Sequence, residues 1–126
     1  GRKSLISQRY NMRKDDLIRL HHMLDAVREV LSFSEGKSRE DLNMNRMLVL
    51  SLVKDIEIIG EAASKVSQET RESLSQIPWA QIVGMRNRLI HAYFEIDLDI
   101  LWKTLLEDIP PLLFELEKLI PPEKIP

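Results

Sequence analysis

Apolar side chains recur every three or four residues along most of this chain, and this periodicity constrains its fold more than any other feature. Leucine, isoleucine, valine and alanine hold that spacing through three long segments, near residues 13–33, 41–67 and 97–119. Residues at this spacing lie on one face of an α-helix, whereas in a half-buried strand apolar and polar residues would alternate. No such alternation persists anywhere in the sequence. We therefore predict an all-α fold.

The segments predict four main helices joined by short links, which favours an antiparallel bundle. We expect the first helix to stop before Gly36, which readily takes a left-handed backbone, and Asp97 to cap the last helix. Pro110 and Pro111 should kink that helix near Ile109. A short extra helix can form in the polar linker at 68–76. The expected helices cover residues 13–33, 41–67, 78–93 and 97–120.

Small side chains interrupt the second helix. Gly60, Ala63 and Ser64 leave a face that predicts close approach of another helix. Gly within a helix costs about 1 kcal/mol relative to Ala, so packing is the expected reason for it. The apolar stripes are also wide for one small core. Part of that surface is therefore expected to be buried between the subunits of a homodimer.

The 126 residues fit one domain, which we place at 12–120. Residues 1–11 are expected to be a flexible or vector-derived leader, and residues 121–126 a proline-rich tail. No apolar run approaches the roughly 20 residues that span a bilayer. The chain has no Cys, which excludes disulfides and thiolate metal sites and suits the cytoplasm. Its net charge of −2 means that a phosphate-bearing partner needs a local basic patch.

Residues 84–93 contain the side chains with the richest chemistry. His91 can transfer protons near neutral pH, and Arg86 offers a planar fork that suits phosphate oxygens. Asn87 can position a phosphate or an imidazole ring, and Tyr93 adds a phenol. Together these groups are suited to metal-free RNA cleavage, in which a 2′-hydroxyl attacks the adjacent phosphate.

Helical geometry weakens that interpretation. If one helix carries the whole segment, Arg86 and His91 lie five residues apart and point about 140° away from each other. Arg86 and Tyr93, seven apart, would be nearly aligned. A shared site then needs Arg86 to curl around the helix or a second subunit to complete the groove. From residue types alone, the segment also fits the C-terminal turn of a helix, where the helix dipole favours Arg88 and His91.

A metal site is the weaker reading of the carboxylates. Glu57 and Glu61 lie one turn apart and could hold an ion, but the segment also reads as an exposed acidic face with Glu61 paired to Lys65. No further ligand cluster is evident, so we predict neither metal nor cofactor. Glu61 can instead support the site by orienting Arg86 or Arg88.

Several ordered segments resemble one known family. Arg86, His91 and Tyr93 fit the pattern R-x-x-x-x-H-x-Y. The chain is thereby similar to the HEPN-superfamily toxins of the HepT type, over about residues 12–119. The same resemblance extends to the segments I-G-E-A at 59–62, I-P-W at 77–79, I-V-G-M-R-N at 82–87 and I-D-L-D at 96–99 with Trp102 beyond.

The resemblance implies an all-α HEPN bundle, a homodimer and an endoribonuclease that is the toxin of a toxin–antitoxin system. Arg86 and His91 would be catalytic, with Asn87 and Glu61 in support and RNA as substrate. An MntA-like nucleotidyltransferase antitoxin would silence the toxin by attaching AMP to Tyr93.

Two other readings remain open at this stage. One is a non-catalytic HEPN module that binds a nucleotide or the nucleotidyltransferase, which the mild acidity favours because an RNase must attract RNA. The other is a purely structural helical dimer. The complete signature favours the RNase.

Overall fold

The computed structural model describes residues 12–120 and confirms the all-α prediction for them. The only strand-like feature in this range is an isolated antiparallel bridge between Ile90 and Ile96. None of the helices in the range is long and apolar enough to cross a membrane. The predictions for residues 1–11 and 121–126 lie outside the described residues.

Eight α-helices follow one another in this range. They are α1 (Lys14–Ser34), α2 (Asp41–Met44), α3 (Arg46–Ser64), α4 (Gln68–Ser73), α5 (Trp79–Val83), α6 (Met85–Leu89), α7 (Leu98–Lys103) and α8 (Ile109–Leu119). A 3₁₀ turn occupies Ala92–Phe94, and a π-helical segment, Thr104–Asp108, joins α7 to α8.

The core lies where α1 packs along α3 and against α8. The start of α1 meets the residues just after α3, so these two helices are antiparallel. Nearly all of the periodic apolar residues are buried, as the pattern predicted. Those with no more than 1% of their surface exposed include Leu20, Leu24, Val27, Leu52, Ile56, Ile59, Leu101, Ile109 and Leu116.

Two of the four expected helices are broken. The second is divided at Asn45, which has an extended backbone. The side chain of Asn45 caps α3 by accepting a hydrogen bond from the Leu48 amide at 3.0 Å. The third is divided at Gly84 and ends at Leu89, so its predicted extension to Tyr93 is wrong. In the fourth, the π-helical segment precedes Pro110, and the amide of Ile109 donates to the carbonyl of Thr104.

Both predictions about glycine are confirmed. Gly36 follows α1 with a φ of 72°, in the left-handed region. At Gly60, a Cβ atom would stand 3.4 Å from the carbonyl oxygens of both Ile82 and Val83. The end of α5 therefore lies close against α3 at Gly60, as the small residues predicted, and the exposed edge of α3 lies next to residues 84–93.

Asp16 links the start of α1 to the start of α4, which follows α3. Its carboxylate accepts from the Ser67 amide at 2.9 Å and from the hydroxyls of Ser67 and Thr70 at 2.6 Å each. Burial alone would raise the pKa of Asp16, but these hydrogen bonds outweigh it and lower that pKa. The residue therefore stabilises the packing of two helices, a larger role than the favourable charge in a first helical turn that its position suggested.

Asp55 is a buried carboxyl with one unsatisfied oxygen. Only 3% of the residue is exposed, and its Oδ2 atom has no hydrogen-bond partner among the described residues. Burial and the neighbouring carboxyl of Glu29 raise the pKa of Asp55 to about 7. The protonated form is thus favoured in the folded state, because a buried charge without a counter-charge is costly.

This shift predicts that stability falls as the pH rises from about 4 to about 7. In that interval the folded protein holds a proton that the unfolded chain has released, so raising the pH favours unfolding. Above the raised pKa, the full penalty should reach about 4 kcal/mol, of which about 3 kcal/mol falls between pH 4.5 and 7.5. Urea unfolding at pH 4.5 and 7.5 measures it. Asp55→Asn should flatten the dependence, whereas the exposed-site control Asp25→Asn should keep it, and an unchanged slope in Asp55→Asn would contradict the assignment.

Candidate functional site

The motif segment is divided between a helix and a loop. Arg86 and Asn87 lie on α6, whereas His91 and Tyr93 lie beyond its end. The helix stops because Ile90 takes an extended backbone, with φ −107° and ψ 119°. The predicted alignment of Arg86 with Tyr93 on one continuous helix is therefore wrong, and the angle computed between Arg86 and His91 does not apply.

Backbone hydrogen bonds close the loop that holds His91 and Tyr93. The His91 amide donates to the Glu95 carbonyl at 2.8 Å, and the Asp97 amide donates to the Leu89 carbonyl at 2.8 Å. These bonds flank the bridge between Ile90 and Ile96. Because they pair residues on both sides of the turn, they hold the loop in one tight shape.

Tyr93 occupies the tip of this loop in an unusual conformation. Its φ of 63° and ψ of 26° lie in the left-handed region, which is unfavourable by roughly 1–2 kcal/mol for a residue with a side chain. Its side chain is almost fully in solvent, with 99% of the residue exposed. The phenol is therefore presented outward, away from any packing role in the described part of the chain.

His91 is oriented by Asp97. The Nε2 atom of His91 lies 3.3 Å from Oδ2 of Asp97. The other carboxylate oxygen, Oδ1, accepts from the Ile100 amide at 3.0 Å and so caps α7. That amide bond and the contact with His91 lower the pKa of Asp97. An ionised carboxylate can only accept, so a hydrogen bond to His91 places the proton on Nε2 and leaves the Nδ1 lone pair free.

Arg86 of α6 pairs with Glu57 of α3, three residues before Gly60. Its Nε atom donates to Oε1 of Glu57 at 3.0 Å, and both side chains are partly exposed. Its remaining guanidinium N–H groups have no hydrogen-bond partner among residues 12–120. The carboxylate thus fixes the guanidinium at one edge and leaves the opposite edge of the fork available to a phosphate.

The other residues predicted near Arg86 have different partners or face solvent. Glu61, expected to support Arg86 or Arg88, is paired with Lys65 at 3.3 Å instead. Arg88 turns away and contacts Asp108 at 3.3 Å. Asn87 is exposed on α6, and its side chain is open to solvent.

Glu57 and Asp97 are the two partners that the sequence did not assign to the site. Glu57 was read as part of an acidic face and Asp97 only as a helix cap. One signal was available for each, since Glu57 lies one turn before the small-residue contact at Gly60 and Asp97 belongs to the I-D-L-D segment. Within the described chain, Arg86 and His91 each have a carboxylate partner, but they are not hydrogen-bonded to one another.

No cluster of metal-binding side chains lies at this site in the described residues. No three His, Asp or Glu side chains in that range are placed to share a metal ion. A cavity of about 670 Å³ lies elsewhere, between the end of α1 and the π-helical segment, with Leu31, Trp102 and Leu106 in its lining. Arg86 is partly exposed, and His91 and Tyr93 are exposed at the surface.

The chain is similar to known proteins over most of its length. The sequence profile of a family described as "Ribonuclease HepT-like" matches residues 23–119. The chain is 37% identical to "Putative RNase TTE0752" of Caldanaerobacter subterraneus subsp. tengcongensis, over 83% of this chain and 94% of that protein. It is 36% identical to "Putative RNase MJ1380" of Methanocaldococcus jannaschii, over 78% and 90%.

A third relative carries a more definite name. The chain is 35% identical to "Probable ribonuclease HepT" of Thermococcus cleftensis, over 79% of this chain and 91% of that protein. No solved structure gives a significant match. The matched length spans the bundle from α1 to α8 and includes both halves of the divided motif.

Proposed function

This chain belongs to the family of HepT-like ribonucleases, and on that basis we propose that it is an endoribonuclease that cleaves RNA without a metal ion. The observation that carries the proposal is the contact between His91 and Asp97, which orients the imidazole and, in its neutral form, favours the tautomer with the proton on Nε2. A neutral His91 with its proton on Nε2 has Nδ1 ready to accept another proton.

The chemistry follows from these groups. His91 Nδ1 takes the proton of a ribose 2′-hydroxyl, whose oxygen attacks the adjacent phosphorus. The bond from phosphorus to the 5′ oxygen then breaks, and that oxygen takes up a proton from water or from a protonated imidazole. The products are a 2′,3′-cyclic phosphate and a 5′-hydroxyl. Arg86 stabilises the extra negative charge on the phosphorane through its free N–H groups, and Asn87 positions the phosphate.

Cleavage of a labelled single-stranded RNA in the presence of a chelator tests this proposal. We expect the wild-type protein to cleave at an undiminished rate in EDTA, with cyclic phosphate at the new 3′ ends. A substrate with a 2′-deoxyribose at the cleaved position should resist, because it lacks the attacking hydroxyl. Loss of cleavage on chelation, or cleavage of the deoxy substrate, would overturn the mechanism.

A homodimer is part of the proposal. Met44 and Met47 are 81% and 80% exposed, and Leu50 is 49% exposed, which leaves an apolar strip from α2 along the start of α3. Such a strip is typical of a surface that another protein covers. A second copy would also supply a second His91 as the acid for the leaving group. Light scattering at micromolar concentration should give twice the chain mass, and a monomer would contradict this.

The finer role that we propose is that of a toxin silenced by AMP on Tyr93. The exposed phenol on a tight turn would be accessible to an MntA-like nucleotidyltransferase, and Tyr93 follows His91, the proposed catalytic residue, by two positions in the chain. AMP would add bulk and a negative phosphate there. That charge would repel the RNA backbone.

Intact mass spectrometry tests the modification. After incubation with ATP and the cognate nucleotidyltransferase, the wild-type chain should gain the mass of one or more AMP units and lose RNA cleavage. Tyr93→Phe should gain none, whereas Tyr10→Phe, which removes the other tyrosine of the chain, should gain as much as wild type. An equal gain on Tyr93→Phe would remove Tyr93 from this role.

One alternative function has a specific observation in its favour. A net charge of −2 is a poor general attractor for RNA and suits a non-catalytic module that binds a nucleotide or the nucleotidyltransferase. Such a module would bind its partner with the same Tyr93 loop. Binding of the transferase without any RNA cleavage by the unmodified protein would favour this alternative.

A further inference from the structure

A small groove between α1 and α3 is lined by two cationic side chains and one carboxylate. It encloses about 180 Å³ and is lined by the side chains of Arg19 and His22 on α1 and of Glu61 and Lys65 on α3, over a floor of Ile58 and Ala62. Since one water occupies about 30 Å³ in the liquid, the space holds several waters or one phosphate group. We refer to it as the Arg19 groove.

The charges in the Arg19 groove are not balanced. Lys65 is neutralised by Glu61 at 3.3 Å, whereas the guanidinium of Arg19 has no hydrogen-bond or ion-pair partner within residues 12–120. Arg19 is only partly exposed, so its charge is held at the groove and is less free to move than that of a surface lysine. His22 adds a ring that can donate a further hydrogen bond. The groove therefore carries a net positive charge that nothing on the described chain satisfies.

The Arg19 groove lies on the same helix as the partner of Arg86. Glu61, in its lining, follows Glu57 by four residues, so the two carboxylates are one turn apart along α3, about 6 Å in rise. Glu57 holds Arg86, and Glu61 holds Lys65 at the groove. The Arg19 groove and the pair of Arg86 with Glu57 therefore lie about one helical turn apart along α3.

We propose that the Arg19 groove is a second phosphate-binding subsite, which holds an RNA backbone phosphate other than the one that is cleaved. The inference rests on the proposed ribonuclease function and adds to it a binding residue for the substrate. Arg19 would pair with the phosphate through its planar fork, and Lys65 and His22 would flank it. This subsite also supplies the local basic patch that an acidic ribonuclease needs to hold its substrate.

Binding of an RNA that cannot be cleaved tests the subsite directly. The probe is a fluorescent single-stranded RNA with 2′-O-methyl groups throughout, titrated by anisotropy at several KCl concentrations. Arg19→Ala should weaken binding about tenfold, since a charge-assisted hydrogen bond contributes at least about 1.5 kcal/mol. The slope of log affinity against log salt should fall by about 0.7, the value for one phosphate contact on a single strand. Arg19→Glu should weaken binding further.

Lys37→Ala is the matched control, because it removes one positive charge from the turn after α1, at the opposite end of that helix. It should change neither the affinity by more than about twofold nor the salt slope. Equal effects of Arg19→Ala and Lys37→Ala would show a general charge effect and overturn the subsite.

Cleavage kinetics separate this inference from the function on which it rests. Arg19→Ala should raise KM about tenfold and change kcat little, whereas a change at His91 should lower kcat and leave the affinity for the methylated RNA intact. If the wild-type protein cleaves RNA but Arg19→Glu has unchanged affinity and KM, the subsite is wrong and the function stands. If the wild-type protein neither binds nor cleaves RNA, both are wrong.

Discussion

Replacing His91 with alanine should lower the rate of RNA cleavage by about 10²–10⁴-fold, which is the usual contribution of a positioned proton-transfer group. The fold should survive the change. His91 is exposed on the loop, and its contact with Asp97 lies at the surface, where such pairs contribute about 0–1 kcal/mol. The urea midpoint should therefore stay close to that of the wild-type protein, and binding of uncleavable RNA should be retained.

Two further variants sharpen this test. His21→Ala removes a partly exposed histidine from α1 and should leave cleavage unchanged. Asp97→Asn keeps a cap for α7 but replaces the negatively charged carboxylate, a hydrogen-bond acceptor, with a neutral amide. The imidazole is then no longer held with its proton on Nε2. It should lower kcat less than His91→Ala and alter the pH profile of cleavage. Full activity of His91→Ala in purified, folded protein would remove His91 from catalysis.

Replacing Arg86 with alanine should lower kcat by about 10²–10³-fold, as the loss of one donor to a developing oxyanion typically does. The free edge of its guanidinium is the group that we assign to the phosphorane. Glu57 would be left without its partner, but it is partly exposed, so water can solvate it and stability should change by less than about 1 kcal/mol.

Arg88→Ala is the matched control for this prediction, since it removes the same side chain two residues later, where the guanidinium contacts Asp108. Its kcat should stay near that of the wild-type protein. Arg86→Lys keeps the charge and loses the fork, so it should recover only part of the activity. If Arg86→Ala and Arg88→Ala were equally active, the assignment of Arg86 to the phosphorane would be wrong.

The sequence alone determined the features that are local to one helix. The spacing of three and four identified the buried faces of α1, α3 and α8, because a helix brings residues at that spacing to one side whatever it packs against. The left-handed Gly36 was also predicted, because glycine takes a positive φ at little cost, and so was the close approach of another helix at the small residues around Gly60. The order of motif segments likewise identified the family.

Only the tertiary structure decided how the motif is arranged. Local pattern favoured one helix through Tyr93, but the pairing of Ile90 with Ile96 ends α6 at Leu89 and places His91 in a loop. That pairing joins two chain segments across a turn, and it cannot be predicted from the helix propensity of the residues on either side.

The partners of the site residues were also decided by the tertiary structure. Arg86 binds Glu57 and not Glu61, although both carboxylates lie on one exposed helix edge in the sequence pattern. The choice depends on the position along α3 at which α6 crosses it. A difference of one helical turn, about 5.4 Å, decides which carboxylate a guanidinium can reach, and that displacement is a property of how two helices pack.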